Sequence, residues 1–489
     1  MSHQKIDWRF NLLVDDGYFI EEYTSAKRMI DVEDRHKQSG RRAFLKVGGF
    51  VAAGGALSSL GALVFGAGTG GKQRIRARWI KAVDRPTLYE KTADYKRFSG
   101  KDMFAIYVPL KTQRDGTGSF EAEQAYKAKR LAAWMAERKP GFSLPDQQLS
   151  EGAWTVMRSS RPGTGLLSWT RPPAHTQPAE PGVQRYIASP EEMASTVKVA
   201  ARLYGARLVG IAPMNESYVN QQVPREGEKQ QDQDIVFEDV DVPSVTDTKF
   251  VIPRKMKWVV AIAIPMDLDL LSRAPTALGD AASALGYSHS AFVVSSLAVF
   301  IRGLGYEAIP CVNDTAQSIP FAIDAGIGEL SRLNKLVTPE FGPAVRLCKV
   351  FTDMPMAYDK PINFGLVEFC KTCRKCAEAC PSRALSFDGE PSFKTRGPWN
   401  NPGHKTWYED SYKCFEYWQK SGSACGVCLV SCPYTKGNQA WIHEGAKAAV
   451  SVAPVTDGVF RILDNAFGYG KQRDPEQWWK NHSSSERRG

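Results

Sequence analysis

The sequence predicts an α+β or α/β chain, with a layered core of alternating helices and strands followed by a small cysteine-rich module. Three observations lead there. Apolar helical stretches alternate with short apolar strands between residues 189 and 360. One stretch, 258–264, is a continuous apolar run, the pattern of a strand covered on both faces. Eight of the ten cysteines fall between Cys370 and Cys432.

The chain has 489 residues, enough for two to four domains. Residues 1–40 are polar. Gly40-Arg41-Arg42-Ala43-Phe44-Leu45-Lys46 then leads into a glycine-rich apolar run, 47–67. Two arginines ahead of a weakly hydrophobic run are the mark of twin-arginine export, which carries proteins already folded. The run is also just long enough to span a bilayer, so an uncleaved anchor is the competing reading. No other stretch reads as a span. The formal charge of +10 is scattered, with no basic helix or aromatic–basic motif. It is read as solubility or surface attraction, and no nucleic-acid partner is expected.

After this signal segment (1–70), residues 71–188 form a mixed N-terminal region rich in Pro and Gly, with a helix expected over 121–138. Ser189, Pro190 and Glu192 predict a helix start with a capping box, and Gly205 stops the helix. A buried strand follows at 206–212. The acidic stretch 215–249 reads as a solvated loop. An apolar helix is expected over 290–302, with Tyr287 and His289 just ahead of it, and a strand over 306–309. This core spans 189–360, the cysteine module 361–445 and the tail 446–489. In the polar tail, Trp478 and Trp479 suggest one docking contact.

The first cysteine set reads C-x2-C-x2-C-x3-C-P: Cys370, Cys373, Cys376, Cys380 and Pro381. The second is Cys414, Cys425, Cys428 and Cys432, followed by Pro433. This is the spacing of bacterial two-cluster ferredoxins, in which three close thiolates hold one [4Fe–4S] cube and the fourth crosses to the other. Cys370, Cys373, Cys376 and Cys432 are then expected on one cluster, and Cys380, Cys414, Cys425 and Cys428 on the other. Ten residues, 415–424, stand between Cys414 and Cys425 where two are usual, which makes Cys414 the irregular member. Zinc sites also use C-x2-C pairs, but the triple repeat ending in C-P is foreign to them. Thiols this close seldom pair for structure. Cys311 and Cys348 read as small buried hydrophobes. Cluster thiolates need a reducing place for metallation, and folding with cluster insertion inside the cell, followed by export, meets that need.

Ahead of the cysteines come Asn313-Asp314-Thr315, Ala325-Gly326-Ile327-Gly328-Glu329, Val337-Thr338-Pro339-Glu340-Phe341-Gly342, Arg346-Leu347 and Thr352-Asp353-Met354-Pro355. This succession, between an export signal and a two-cluster module, resembles the corrinoid-dependent reductive dehalogenases. The resemblance implies a cobalamin in a nitroreductase-like core and reductive cleavage of a carbon–halogen bond in a small organohalide. It implies Tyr287 as proton donor, with Asn313 and Arg346 beside it, and corrinoid contacts around Thr315, Gly326, Gly328 and Thr338. It also implies a small membrane anchor protein, a membrane-associated electron donor, and a place at the outer face of the cytoplasmic membrane or in the periplasm.

From position alone, Tyr287 is a packed aromatic at a helix start, Arg346 a structural ion-pair member and Asn313 part of a turn. Trp154, Tyr417 and Trp418 are candidate pocket walls or core. The only Asp-x-His-like cobalamin motif, Asp34 to Gly40, is misspaced and lies in the export segment, which fits a corrinoid without a histidine lower ligand. His289, a candidate cobalt ligand, is rated lower, since a lone histidine at a helix start is usually structural. Two rivals stay open: an epoxyqueuosine-reductase-like enzyme acting on tRNA, and an exported electron carrier without a substrate site.

Arg42→Lys is expected to leave precursor inside the cell, read by immunoblot of cell fractions. Normal export of the variant would point to another route.

Overall fold

The computed structural model describes residues 79–103, 120–170, 184–223, 232–435 and 469–483. The export segment, the end of the cysteine module and most of the tail lie outside the described residues.

The centre is a four-stranded antiparallel sheet. Its strands, in spatial order, are Leu208–Pro213, Trp258–Pro265, Val345–Thr352 and Ala308–Cys311. Trp258–Pro265 is apolar throughout because both of its faces are covered. Val260, Ile262 and Ile264 pack with the helices Pro190–Leu203 and Ala277–Gly303. Val259, Ala261 and Ala263 pack the other way, with Phe321 and Ala322 of the helix Ser318–Asp324 and with a second sheet. Strands of period two can serve both layers at once. Helices and a second sheet cover the two faces, and the antiparallel pairing sets the core in the α+β class.

Three expectations need correcting. The acidic stretch 215–249 is not a solvated loop: with Lys249–Pro253 it forms a four-stranded sheet, Gln222–Val223, Gln233–Glu238, Lys249–Pro253 and Ser244–Val245 in that order. Ile235 and Phe237 are buried while Asp234 is exposed, so a period-two pattern was present under the acidic composition. The capping box at Ser189 is half formed. The Ser189 side chain accepts from the Glu192 N–H at 3.2 Å, but the Glu192 carboxylate accepts from the Tyr186 hydroxyl instead.

The largest correction concerns the helix expected at 290–302. It runs from Ala277 to Gly303, 27 residues capped by Thr276, so Tyr287 lies in its middle. Gly279 and Gly286, poor helix formers, hid its first half. It is long and apolar enough to cross a membrane by length and composition, but most of it is buried inside the fold. Leu278 and Ala282 pack with the cysteine module, and Ala291 to Ile301 pack with the sheet.

The cysteine module is built on the helices Leu366–Thr372, Lys375–Ala379, Ser411–Ser421 and Val427–Ser431. It is tied to the core through Glu329, whose carboxylate accepts from Thr87 Oγ1 and from the N–H groups of Phe364 and Leu366. The tail docks as expected: Trp478 packs on the module core, and Trp479 Nε1 donates to Asp146 at 2.7 Å.

Gly210 has no room for a side chain, because a Cβ there would lie 2.1 Å from the Ala325 carbonyl oxygen. Gly210→Ala is expected to lower unfolding stability by about 1–3 kcal/mol, measured by chemical denaturation. Wild-type stability would show that the Ser318–Asp324 helix packs elsewhere.

Candidate active site

Tyr287, Asn313 and Arg346 come from three different elements, and each arrives for a local reason. Tyr287 is on the long helix, next to Gly286. A Cβ on Gly286 would lie 2.9 Å from Arg346 Cγ, so that glycine makes room for the arginine stem. Arg346 opposes Ile264 in the sheet and shares the helix-facing side with Cys348 and Val350 by strand alternation. Asn313 is in the loop that follows the strand Ala308–Cys311.

The phenol oxygen of Tyr287 accepts from Asn313 Nδ2 at 3.0 Å and, more weakly, from Arg346 Nη1 at 3.4 Å. The guanidinium carbon also lies 4.4 Å from the centre of the tyrosine ring, a cation–π contact. With both neighbours donating to the oxygen, the hydroxyl proton remains available for another acceptor. Tyr287 and Arg346 are half-buried, and Asn313 is exposed.

Trp154 stacks on the Tyr287 ring, with centroids 5.7 Å apart and planes 21° from parallel. Trp154 belongs to the helix Leu144–Arg158, and its indole N–H donates to Asp280 at 2.9 Å. Ser150 donates to the same carboxylate oxygen. Asp280 is seven residues before Tyr287, two turns along one helix, so a single helix holds the phenol and braces its cover. Of the candidate wall residues, Trp154 joins the site. Tyr417 instead stands by the second cysteine set, where burial and then the charges at Cys425 and Cys380 raise its pKa. Trp418 packs on Phe415. His289 is exposed on the helix.

Sequence reasoning missed Lys349. It is fully buried on the strand Val345–Thr352, facing away from Arg346. Its Nζ donates to the carbonyls of Val312 (2.6 Å) and Ala316 (2.7 Å) and to Ser318 Oγ (3.0 Å). These atoms belong to the loop that presents Asn313 and to the helix after it. Burial pulls the lysine below its ordinary pKa. The readable signal was a lone lysine in an otherwise apolar strand run. Asp280 gave no such signal.

The four expected cofactor contacts have roles inside the chain. Thr315 and Thr338 are fully buried. Thr315 donates to Asp314, and Thr338 Oγ1 accepts from the Phe341 N–H. A Cβ at Gly326 would lie 2.4 Å from the Lys360 carbonyl oxygen, and one at Gly328 would lie 2.2 Å from that of Val337. Two buried donors lack a hydrogen-bond partner among the described residues: Arg346 Nε, beside Tyr287, and Gln317 Nε2, in the loop that carries Asn313. Burial without a partner is costly, so such atoms mark a place for a polar ligand.

The cysteines gather as two neighbouring groups. Cys370, Cys373, Cys376 and Cys432 line one cavity with Arg332 and Leu333. Cys414 and Cys425 both feel the charge at Cys380, and Cys428 feels those of Cys425 and Cys380. The irregular Cys414 is therefore beside the others despite its spacing. Burial pushes the thiols of Cys370, Cys425 and Cys428 up to about 12, with neighbouring cysteines adding to the shift. Crowded buried thiolates need cationic metal to stay deprotonated, and iron in a cluster meets that need. Among the described residues, no three Cys, His, Asp or Glu side chains are grouped to hold a single ion. A cube instead takes its thiolates at four separate corners. Cys311 and Cys348 are buried in the core, as expected, and burial raises both thiols.

Comparison with known proteins bears on this arrangement. The model of the reductive dehalogenase subunit family matches residues 75–356, more than half of the chain. The chain belongs to the reductive dehalogenase family. A second family model, the 4Fe-4S double cluster binding domain, matches residues 369–435. The tetrachloroethene reductive dehalogenase of Sulfurospirillum multivorans is 37% identical over 365 residues, covering 73% of this chain and 70% of that protein. One from Desulfitobacterium hafniense is 30% identical over 412 residues, covering 73% and 74%. A solved reductive dehalogenase, described in terms of B12-dependent dehalogenation, has a TM-score of 0.59 at 23% identity. The match covers 84% of this chain and 51% of that one, so the chain spans about half the length of that structure. As a reductive dehalogenase, the chain is an oxidoreductase for carbon–halogen bonds, and family membership sets both rival readings aside.

Lys349→Met is expected to strand the carbonyls of Val312 and Ala316, at about 1–3 kcal/mol for each unsatisfied group. Chemical denaturation should show that loss. An unchanged midpoint would mean that the loop holds without the lysine.

Proposed function

We propose that this reductive dehalogenase removes halide from a small organohalide at a corrinoid, and that Tyr287 delivers the proton. The reading rests chiefly on the Tyr287 oxygen, which accepts from both Asn313 and Arg346 while its own proton stays available. The reaction takes up two electrons and a proton, and releases halide and the hydrogenated product.

Cobalamin supplies a strongly reducing cobalt when bound, and that reactivity is its own. The unpartnered donor Arg346 Nε, beside Tyr287, fits a polar cofactor at this place, in a core we read as nitroreductase-like. The Thr315, Gly326, Gly328 and Thr338 segments would contribute through their backbone. The protein's part is positioning and protonation. Tyr287 acts as the general acid. Its proton passes to the carbon that loses halide, and Arg346 and Asn313 hold the tyrosinate left behind. Trp154 keeps water off the ring face that it covers.

Electrons enter through two [4Fe–4S] clusters, one on Cys370, Cys373, Cys376 and Cys432, the other on Cys380, Cys414, Cys425 and Cys428. The relatives named for tetrachloroethene make chlorinated ethenes the first substrates to test. We assign the twin-arginine segment to export through the Tat translocase. The mature enzyme then works at the outer face of the cytoplasmic membrane or in the periplasm, beside a small membrane anchor protein and a membrane-associated electron donor.

Tyr287→Phe is expected to keep both clusters and the corrinoid, seen as about eight irons and corrinoid absorption, while losing most turnover with reduced viologen. Wild-type turnover would remove Tyr287 from the mechanism. Arg346→Lys is expected to lose activity as well, since a lysine cannot reproduce the guanidinium face over the ring. Unimpaired turnover in that variant would show that charge alone suffices.

A further inference from the structure

The hairpin Glu329–Leu330/Leu336–Val337 carries a five-residue turn, 331–335, that reaches the cysteine module. Ser331 Oγ fixes the turn by donating to the Lys335 carbonyl and accepting from the Leu333 N–H. The turn holds two cations, Arg332 and Lys335, in opposite electrostatic circumstances.

Arg332 is 1% exposed and lines the cavity shared by Cys370, Cys373, Cys376 and Cys432. Its guanidinium donates to the carbonyls of Cys370 (2.6 and 2.9 Å) and Cys373 (3.0 Å), and further to Lys371, Ser386 and Asp388. Its carbon lies 5.0 Å from the centre of the Trp407 ring. These hydrogen bonds all end on neutral carbonyls. The nearby carboxylate of Glu329 is bound to Thr87, Phe364 and Leu366. Lys335, by contrast, forms an ion pair with Glu409, at 2.8 Å to each carboxylate oxygen. Both members of that pair act on Cys414 and Cys428.

Reducing an iron–sulfur cluster adds an electron to an already anionic site, so a fixed cation beside it favours the reduced form. Burial keeps salt from screening that effect. We propose that this one turn sets the two cluster potentials separately. Arg332, a buried charge without a carboxylate partner among its contacts, raises the potential of the cluster in the Cys370 group. Glu409 cancels Lys335 beside the Cys380 group and holds that cluster below the potential Lys335 alone would give. The inference rests on the two-cluster reading above.

The test is a redox titration followed by electron paramagnetic resonance on the purified, cluster-loaded protein. About eight irons and two separate reduction waves in the wild type establish the two-cluster reading independently. Arg332→Gln is expected to lower one wave by about tenfold in the reduced-to-oxidised ratio, about 59 mV for one electron, and leave the other in place. Arg332→Lys, which keeps the charge, should stay near wild type. Glu409→Gln should raise the wave that Arg332→Gln leaves alone. Waves that stay put in Arg332→Gln or Glu409→Gln, or two variants that move the same wave, overturn the inference. So does an Arg332→Lys shift equal to that of Arg332→Gln, which would assign the effect to hydrogen bonding. If Arg332→Gln fails to assemble both clusters, the inference requires that Arg332→Lys leave both waves near wild type and that Glu409→Gln raise one wave alone; any other pattern overturns it.

Discussion

The site depends on one helix with a different partner at each end. Ala277–Gly303 packs its first turns into the cysteine module and its last turns onto the sheet, and Tyr287 falls between. At about 1.5 Å per residue, Tyr287 is less than 10 Å along the axis from Ala282, which lies in the same hydrophobic cluster as the module cysteines. The helix therefore fixes the separation between the electron-carrying part and the phenol. That separation does not rely on loops, and electrostatic placement is worth most when it needs no reorganisation.

Around that helix, the remaining parts act as braces. Gly286 omits a side chain so that Arg346 can cross to the phenol. Lys349, on the opposite face of the same strand, grips the loop of Asn313. One strand thus serves both neighbours of the phenol, Arg346 directly and Asn313 through the buried ammonium. Period-two alternation makes this economical, because adjacent positions address different layers.

Much of this was legible in the sequence, but unevenly. The cysteine spacing showed the module, and the resemblance pointed to Tyr287, Asn313 and Arg346, which the structure brings together. The covered strand was visible in the unbroken run from Trp258. The first half of the long helix was not, because Gly279 and Gly286 weaken helical propensity and packing on two partners overrides it. The second sheet was hidden by its acidic outward residues, although Ile235 and Phe237 alternate inward. Lys349 and Arg332 could not be read as partners at all, since their contacts are backbone carbonyls far away in sequence. The glycines at 326 and 328, read as cofactor contacts, also make room for the Lys360 and Val337 carbonyls.

Trp154 sits in the stretch of chain with the fewest recognisable motifs, yet it covers the face of the phenol. Its anchor, Asp280, belongs to the same helix as the phenol, so the cover and what it covers move as one body. The wall facing the reaction space is thereby separable from the acid itself. Replacing the indole would reshape the chamber while leaving Tyr287, Asn313 and Arg346 in place. On the proposed role of Tyr287, a change in that helix alone would alter which substrates fit while the proton donor stays where it is.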